Sequence, residues 1–203
     1  MKTFAALFAA AALTCGIVSA GDDKGGINRD YWIPFSGGLA GIQDKINKKE
    51  APTGSDILPS FEAVSWTGDK AVSNFADEYG QRVYGFIIPD ESGDYVFWIA
   101  ADDAGVLKLS TDENPANVKE IAATTEWTDY RQYDKKPEQK SKPVKLEAGK
   151  KYYVEALMYE GGGGDSLTVA WTKPGKDQSK PTEVIPGKNL APAKAVDKKD
   201  VKK

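Results

Sequence analysis

The sequence predicts an all-β fold, a sandwich or barrel of antiparallel strands with long loops in a single domain. Short segments rich in aromatic and β-branched residues recur along the chain, separated by turns of Pro, Gly, Asp and Ser. After the first twenty residues no segment sustains a long helical period, so any helix is expected to have at most one or two turns. Short strands at regular spacing are typical of β-sandwiches and β-barrels.

Seven segments are predicted to be strands. They span residues 82–89, 95–100, 106–110, 118–122, 143–146, 151–159 and 166–171. In the last of them, apolar and polar residues alternate from Leu167 to Thr172, which predicts a strand with one face in the core and the other in solvent. The aromatic residues inside the predicted strands are expected to be core residues: Phe97, Trp98, Tyr152 and Tyr153.

Both ends of the chain are predicted to lie outside the domain, which we place at residues 21–192. Residues 1–20 have a basic start, an apolar stretch and small residues up to Ala20, a pattern typical of a cleaved secretory signal peptide. The protein is therefore expected to be secreted, periplasmic or at the cell surface. A lipoprotein leader is the alternative, with Cys15 as the first mature residue, but the residues before Cys15 do not fit that pattern. Residues 193–203, rich in Lys, Asp and Ala, are predicted to be a disordered tail.

The composition excludes several classes of function. With 27 basic and 30 acidic residues, the net charge is −3, which gives no electrostatic support for nucleic-acid binding. No apolar run long enough to span a membrane follows the signal peptide. The sequence contains no histidine, which excludes Ser-His-Asp and Cys-His catalytic sites and histidine-ligated zinc or iron.

Two loops carry the residues that indicate a function. Asp102 and Asp103 lie between two apolar strand segments, where the alternative interpretation is a plain turn. Four glycines, 161–164, and Asp165 lie between two segments that we interpret as the arms of one hairpin. This run precedes a strand, which disfavours a phosphate-binding loop, and it joins neighbouring strands, which disfavours a flexible linker.

Together the two loops predict a site for a hard cation. Calcium takes roughly six to eight oxygen ligands, a mixture of carboxylates and backbone carbonyls. The aspartates supply carboxylates, and glycines, which lack a Cβ atom, let several carbonyls turn toward one point. The predicted cofactor is Ca²⁺, and its predicted ligands are Asp102, Asp103, Gly162, Gly163, Gly164 and Asp165.

These residues lie in a sequence that resembles the protective-antigen-type domain, the β-sandwich module of anthrax protective antigen, yeast flocculins, fungal epithelial adhesins and many bacterial surface proteins and glycosidases. The resemblance covers roughly residues 27–192 and rests on three blocks in order: PDESGDYVFWIAADDAGVLKLSTDENPANVKEIA, QKSKPVKLEAGKKYYVEALMYEGGGGDSLTVAWTKPG and PTEVIPG.

In the lectin members of that family, two adjacent aspartates joined by a cis peptide hold calcium, a second loop completes its shell, and sugar hydroxyls bind the metal. The resemblance implies that Asp102 and Asp103 are this pair and that the glycine run with Asp165 is the second loop. The glycine run departs from the fungal pattern, so the resemblance implies no particular sugar.

The expected function is therefore the binding of glycans or extracellular polysaccharide through calcium, by a module that is not an enzyme. Tyr159, next to the glycines, and Trp127, in a loop, are candidate aromatic contacts for a sugar. One alternative is a structural or protein-binding adhesion module in which calcium only stiffens the loops. A glycoside hydrolase is a further alternative, disfavoured because adjacent aspartates on one turn are too close for separate acid and nucleophile roles.

Overall fold

The computed structural model describes residues 25–193, apart from the backbone at 65, 68–69 and 72–73 and the side chains of 65–73. The signal peptide predicted for 1–20 and nearly all of the tail predicted for 193–203 lie outside the described residues. The described part contains one α-helix, α1 (Gly38–Asn47), which is too short to span a membrane. The strands are β1 (Ile27–Trp32), β2 (Gly54–Leu58), β3 (Glu62–Ala63), β4 (Trp66–Thr67), β5 (Lys70–Ala71), β6 (Tyr79–Ile87), β7 (Gly93–Asp102), β8 (Ala104–Leu109), β9 (Lys119–Thr124), β10 (Val144–Leu146), β11 (Tyr152–Glu160), β12 (Ser166–Thr172), β13 (Glu183–Val184) and β14 (Leu190–Pro192).

The strands form a sandwich of two antiparallel sheets, which confirms the predicted fold class. The seven-stranded sheet has the order β2-β1-β6-β11-β8-β9, and β14 pairs with the end of β6. The five-stranded sheet has the order β10-β7-β12-β13, and β3 pairs with β12. The short strands β4 and β5 pair only with each other in the described structure. The seven strands predicted from the sequence correspond to β6 through β12.

The hydrophobic core lies between the two sheets. Trp171 is completely buried there, and its ring centroid lies 5.0 Å from that of Tyr95. The strand aromatics expected in the core are all buried. Burial of each large apolar side chain contributes about 1.5–3 kcal/mol, so the central strands carry most of the folding free energy.

The outer face of β12 is buried as well, so the prediction of a solvated face was wrong. Every residue of β12 is buried, because the segment 128–141 runs alongside β7 and packs Tyr133 against Trp98 and Ala170. The Thr172 hydroxyl accepts a hydrogen bond from the Trp98 indole at 2.9 Å and donates one to a backbone carbonyl. Thr172 is therefore polar because it makes internal hydrogen bonds and not because it contacts water.

The first third of the domain contains more regular structure than the sequence predicted. Strands β1 and β2 lie before the first of the seven predicted strands and were not among them. Helix α1 has nearly three turns and covers the outer face of the seven-stranded sheet. Its Ile42 is fully buried against Trp32, Val106 and Leu157.

The two ends of the described chain lie next to each other. The Gly25 N–H donates to the Leu190 carbonyl at 3.1 Å, and the Ala193 N–H donates to the Asn28 side chain at 2.7 Å. Leu190 pairs with Ile87 at the last residue of β6. The ends therefore meet at one end of the sandwich.

Candidate metal and sugar site

Two chain crossings between the sheets lie side by side at the opposite end of the sandwich. Strand β7 belongs to the five-stranded sheet and β8 to the seven-stranded sheet, so Asp102 and Asp103 form one crossing. Strands β11 and β12 are likewise in different sheets, so the glycine run is the second crossing, and our interpretation of it as a hairpin turn was wrong. Because β7 pairs with β12 and β8 pairs with β11, the two crossings are neighbours.

The aspartate pair forms a very short crossing. Asp102 is the last residue of β7, and Asp103 alone separates it from β8. The peptide bond between them is cis, as the resemblance implied. The Asp103 N–H donates to the Tyr159 carbonyl at 3.0 Å, and its carboxylate accepts from the Gly161 N–H at 2.9 Å. Backbone hydrogen bonds therefore join the pair to the start of the glycine run.

A third carboxylate, which the sequence analysis missed, completes a cluster with this pair. Oxygen atoms of Asp102, Asp103 and Glu160 all lie within 4.8 Å of one another. Glu160 is fully buried, and neither of its carboxylate oxygens has a hydrogen-bond partner. The sequence did contain a signal for Glu160, because an acidic residue stands at the end of a predicted strand directly before the glycine run.

The electrostatics of this cluster favour a cation. Burial, followed by the charges of Asp103 and Asp102, raises the pKa of Glu160 to about 8. The Gly162 amide lowers the pKa of Glu160, but it does not reach hydrogen-bond geometry. Burial, followed by the charge of Asp103, raises the pKa of Asp102 to about 6. Burial and neighbouring negative charge therefore disfavour the charged forms of Glu160 and Asp102, and a positive ion would stabilise those charged forms, so the cluster fits a metal.

Asp165, a predicted metal ligand, has a different environment. Its side chain is buried, and one carboxylate oxygen accepts hydrogen bonds from the backbone N–H groups of Phe75 at 2.8 Å and Ala76 at 3.2 Å. It is not one of the three carboxylates of the cluster, although its charge still raises the pKa of Asp102 and Glu160. The structure therefore gives Asp165 a role in holding the segment that precedes β6.

Two of the four glycines occupy positions where a side chain would be strained or crowded. Gly163 has a φ angle of 113°, which side chains disfavour. At Gly161, a Cβ atom would lie 3.0 Å from an Asp103 carboxylate oxygen. The run is also bonded to the segment before β6, because the Gly163 N–H donates to Asp77 at 3.2 Å and the Glu78 N–H donates to the Gly161 carbonyl at 3.2 Å.

Two aromatic residues lie close to the crossings. The Tyr159 hydroxyl would lie 3.7 Å from a Cβ atom on Gly161, which places it beside the cluster. Trp127 is 52% exposed and is the only exposed large apolar residue among those described. Its ring lies 3.6 Å from the Lys135 ammonium, and the next residue, Thr128, donates its N–H to the Ala101 carbonyl at the end of β7. Tyr159 therefore lies beside the cluster, and Trp127 precedes a residue that is bonded to the end of β7.

Residues 36–184 match the family model described as the PA14 domain. The chain belongs to the PA14 domain family. It is 39% identical over 155 residues to the mouse (Mus musculus) protein N-acetyl-beta-glucosaminyl-glycoprotein 4-beta-N-acetylgalactosaminyltransferase 1, an alignment that covers 73% of this chain and 14% of the mouse protein. It is also 34% identical over 85 residues to mouse fibrocystin, covering 38% of this chain and 2% of fibrocystin. The chain thus corresponds to a small part of each of these relatives.

Solved structures of PA14 domains share the fold. The PA14 sugar-binding domain from an RTX adhesin superposes with a TM-score of 0.57 at 14% identity, covering 83% of this chain and 98% of the adhesin domain. Epithelial adhesin 6 A domain from Candida glabrata, solved in complex with Galb1-3GlcNAc, superposes with a TM-score of 0.53 at 14% identity, covering 83% of this chain and 87% of the adhesin domain. At such identities the comparison establishes a common fold.

Proposed function

We propose that this PA14 domain is a calcium-dependent carbohydrate-binding module. The observation that carries the proposal is the cluster of three carboxylates, in which Asp102 and Asp103 are partly buried and Glu160 is fully buried without a hydrogen-bond partner. A set of oxygen ligands of this kind suits a hard cation such as calcium. The similarity to a sugar-binding domain of an RTX adhesin and to an adhesin domain solved with a glycan supports the choice of ligand.

The residues around the cluster have distinct roles in this proposal. Asp102, Asp103 and Glu160 hold the ion, and carbonyls in the run Gly162–Gly164 are the proposed additional ligands. Once bound, calcium supplies a positive centre to which sugar hydroxyls can bind. Asp165 orders the segment against which the glycine run is bonded, and the Gly161 N–H fixes the Asp103 carboxylate.

Tyr159 and Trp127 are proposed to contact the apolar faces of the sugar. Both lie next to the crossings, and aromatic rings commonly pack against the C–H groups of sugars. A shallow site with few contacts is expected to bind a single sugar with a Kd of roughly a millimolar. Several copies acting together would bind a glycan-covered surface much more tightly.

We infer that the domain itself is a binding module and not an enzyme. The mouse relative is named a transferase, but this chain matches only 14% of its length. The clustered carboxylates lie within 4.8 Å of one another, closer than the separations of about 5–9.5 Å that glycosidases use. The signal peptide predicted from residues 1–20 is the basis for proposing a secreted, periplasmic or cell-surface location.

The test compares glycan binding and thermal stability with calcium and with excess chelator. We expect calcium to raise the melting temperature by several degrees, because an ion that binds only the folded state stabilises it. We expect Asp103→Asn to abolish this rise and the glycan binding. Asp94→Asn is the matched control, since Asp94 is exposed at the other end of the same strand.

Two results would contradict the proposal in different ways. Glycan binding that persists unchanged in chelator would exclude the metal-dependent mechanism. A calcium-dependent rise in melting temperature without binding to any glycan on a broad array would instead favour the alternative in which calcium only stiffens the loops.

A further inference from the structure

A groove of about 740 Å³ runs along one side of the sandwich, between an edge of the seven-stranded sheet and an edge of the five-stranded sheet. One wall consists of residues 120–126, which are β9 and the two residues after it, and the other comes from residues 136–144, which lead into β10. The volume lies within the range of about 300–1,000 Å³ that is usual for ligand-binding pockets. None of the roles proposed above uses this groove.

Strand β9 presents a free edge to the groove. It is the last strand of its sheet and pairs only with β8 in the described structure. Apart from this pairing, residues 119–124 make no backbone hydrogen bond with any described segment. The groove is lined by consecutive residues of the strand, so it follows the backbone and not a single face. An edge with free N–H and C=O groups can accept a further strand, and the six residues of β9 offer about 20 Å of it.

The opposite wall is fixed to the five-stranded sheet and carries basic side chains at its centre. Lys140 and Lys142 line the groove, whereas Ser141 between them is buried and donates its N–H to the Phe97 carbonyl at 2.8 Å. Both lysines are exposed, and neither makes an ion pair with a described residue. The Lys140 ammonium lies 4.9 Å from the ring centroid of Trp98. This wall therefore offers two positive charges that are not compensated by carboxylates.

The acidic residues of the groove lie away from these two lysines or are already paired. Glu126 is bonded to Lys136 at 2.5 Å, and this ion pair closes one end of the groove. Glu120 stands opposite Lys108 in the pairing with β8, and the Lys108 ammonium donates to Gln43 of α1. Because opposite residues of a ladder share a face, Glu120 lies on the outer face of the sheet, under which α1 also packs. Glu138 remains as the acidic residue on the basic wall.

The floor of the groove is apolar. Ile121 of β9 and Val144 of β10 are partly buried and pack against the main core. No aromatic side chain is among the residues that line the groove, so it lacks the surface on which sugar rings usually pack. A free strand edge, an apolar floor and a basic wall together suit an extended polypeptide that carries both apolar and acidic side chains.

We propose that this groove binds an extended acidic segment of another protein, which adds to the free edge of β9 as a further strand. The backbone of the segment pairs with β9, its apolar side chains lie over Ile121 and Val144, and its carboxylates reach Lys140 and Lys142. The groove shares no residue with the carboxylate cluster, so this inference is independent of the proposed function. The domain would thus hold a protein partner along its side while the end with the cluster stays free.

The experiment selects peptides that bind the full chain from a displayed library of random decapeptides. We expect enrichment of proline-free peptides in which acidic residues alternate with β-branched or aromatic ones, because proline cannot donate to the ladder. A synthetic copy of the most enriched peptide should slow hydrogen exchange of the amides in 119–124 by about tenfold or more at saturation. This measurement uses the wild-type protein and needs no variant. Binding should be the same in calcium and in chelator.

A charge-reversed variant tests the basic wall. Lys140→Glu together with Lys142→Glu should weaken the binding of the same peptide by about tenfold or more, since both carboxylate partners are then repelled. Lys176→Glu together with Lys188→Glu is the matched control. It makes the same change in net charge at two exposed lysines that do not line the groove, and it should stay within about twofold of wild type. Melting temperatures close to that of wild type verify that both variants are folded.

Several results would overturn the inference. They are a library without enriched peptides, equal binding by the charge-reversed variant, and exchange in 119–124 that is unchanged by the bound peptide. A chain that sediments as a dimer, with slowed exchange in 119–124, would show that a second copy occupies the edge. Polygalacturonate that binds in a manner dependent on Lys140 and Lys142, when no peptide is enriched, would assign the groove to an acidic polysaccharide.

Discussion

Glu160 and Glu155 lie on the same strand, β11, and both are buried, but their surroundings are opposite. Glu155 is paired with Arg82 at 2.6 Å and with Lys108 at 3.4 Å. Glu160 has two acidic neighbours and no hydrogen-bond partner. Burying an unpaired charge costs several kcal/mol, so the fold tolerates at Glu160 a penalty that a bound cation would remove. The surroundings of Glu160 therefore support the proposed metal site over a plain turn.

The raised pKa of Glu160 predicts how the calcium-free protein responds to pH. A carboxyl group with an ordinary pKa of 4.5 when unfolded and about 8 when folded holds its proton more tightly in the folded state. The free energy of unfolding should therefore fall as the pH rises from about 4.5 to about 8, and Asp102, with its pKa raised to about 6, adds to the fall at the lower end. Melting temperatures measured in chelator from pH 5 to 9 test this prediction. A melting temperature that rises across that range would contradict it.

Glu160→Gln should have opposite effects on the calcium-free and calcium-loaded forms. The amide has nearly the same size but no charge, so in chelator at pH 9 we expect unfolding to cost about 1 kcal/mol more than in wild type. In calcium, the same variant should lose most of the stabilisation by the ion. Glu113→Gln, at an exposed glutamate, is the control and should change neither melting temperature. Equal stabilisation of wild type and Glu160→Gln by calcium would show that Glu160 is not a ligand.

The acidic pair was singled out from the sequence, but Glu160, which lies with the pair in the structure, was not. Asp102 and Asp103 were recognisable because two adjacent carboxylates break an apolar pattern. Glu160 was read as the end of a strand, and its proximity to the pair depends on the pairing of β11 with β8, which no local pattern records. Asp165 was predicted to be a ligand of the ion. Its hydrogen bonds with the backbone of Phe75 and Ala76 could not be predicted, because these partners lie about ninety residues away in sequence.

The carboxylates of the candidate site come together because the β7–β8 and β11–β12 crossings between the sheets are neighbours. Each crossing is short, and the strand pairs on both sides of it are central in their sheets. The backbone around the cluster is therefore held by paired strands on both sides, and only the glycine run and the segment before β6 are free of strand pairing. Asp165 connects these two parts and is the residue whose change should affect the order of the site most directly.

Asp165→Ala should loosen the segment before β6 even without calcium. The carboxylate accepts two backbone N–H groups, and removal of a buried acceptor costs about 1–3 kcal/mol. Hydrogen exchange at Phe75 and Ala76 should accelerate by about tenfold or more in chelator, and the free energy of unfolding should fall. If the calcium-free variant exchanges like wild type and only calcium affinity falls, Asp165 acts as a ligand alone. Asp177→Ala, in an exposed loop, is the matched control.

The strands from β6 onward could be predicted because each carries its own apolar and β-branched pattern. Strand β1 could not, since three polar residues in its middle, Asn28, Arg29 and Asp30, mask the pattern. Arg29 is paired with Asp56 of β2, and Asp30 accepts a hydrogen bond from Tyr84 of β6. Such pairs form only after distant segments have come together. Helix α1 was underestimated because two glycines, Gly38 and Gly41, weaken its helical pattern, whereas burial of Ile42 on the sheet stabilises it.

Strand β14 is the last strand of the described residues. It ends at Pro192, the residue at which the sequence analysis places the end of the domain. Leu190 and Ala191 are buried and pair with β6, so the polar sequence that follows is distinct from the strand. The division between domain and tail can therefore be tested by truncation at two points only a few residues apart.

Removal of residues 194–203 should leave the melting temperature within about 2 °C of the full-length value, because this segment has little apolar surface to bury. Removal of residues 190–203 takes Leu190 out of the core, at a cost of about 2–3 kcal/mol. That cost corresponds to a fall of about 5 °C or more for a domain of this size. Thermal denaturation of both truncated proteins makes the comparison. Equal melting temperatures for the two would mean that β14 does not contribute to the stability of the sandwich.

The two ends of the described chain meet at the far end of β6 from the carboxylate cluster, about 27 Å away along the strand. If the domain were inserted into a longer polypeptide, that polypeptide would leave and re-enter at one point, and the end with the proposed sugar site would face away from it. Inserted in this way, the domain would not force any rearrangement of its host. Several such domains inserted along one polypeptide would all present the proposed site away from it. This arrangement would suit multivalent binding to a surface dense in glycans, with many weak contacts.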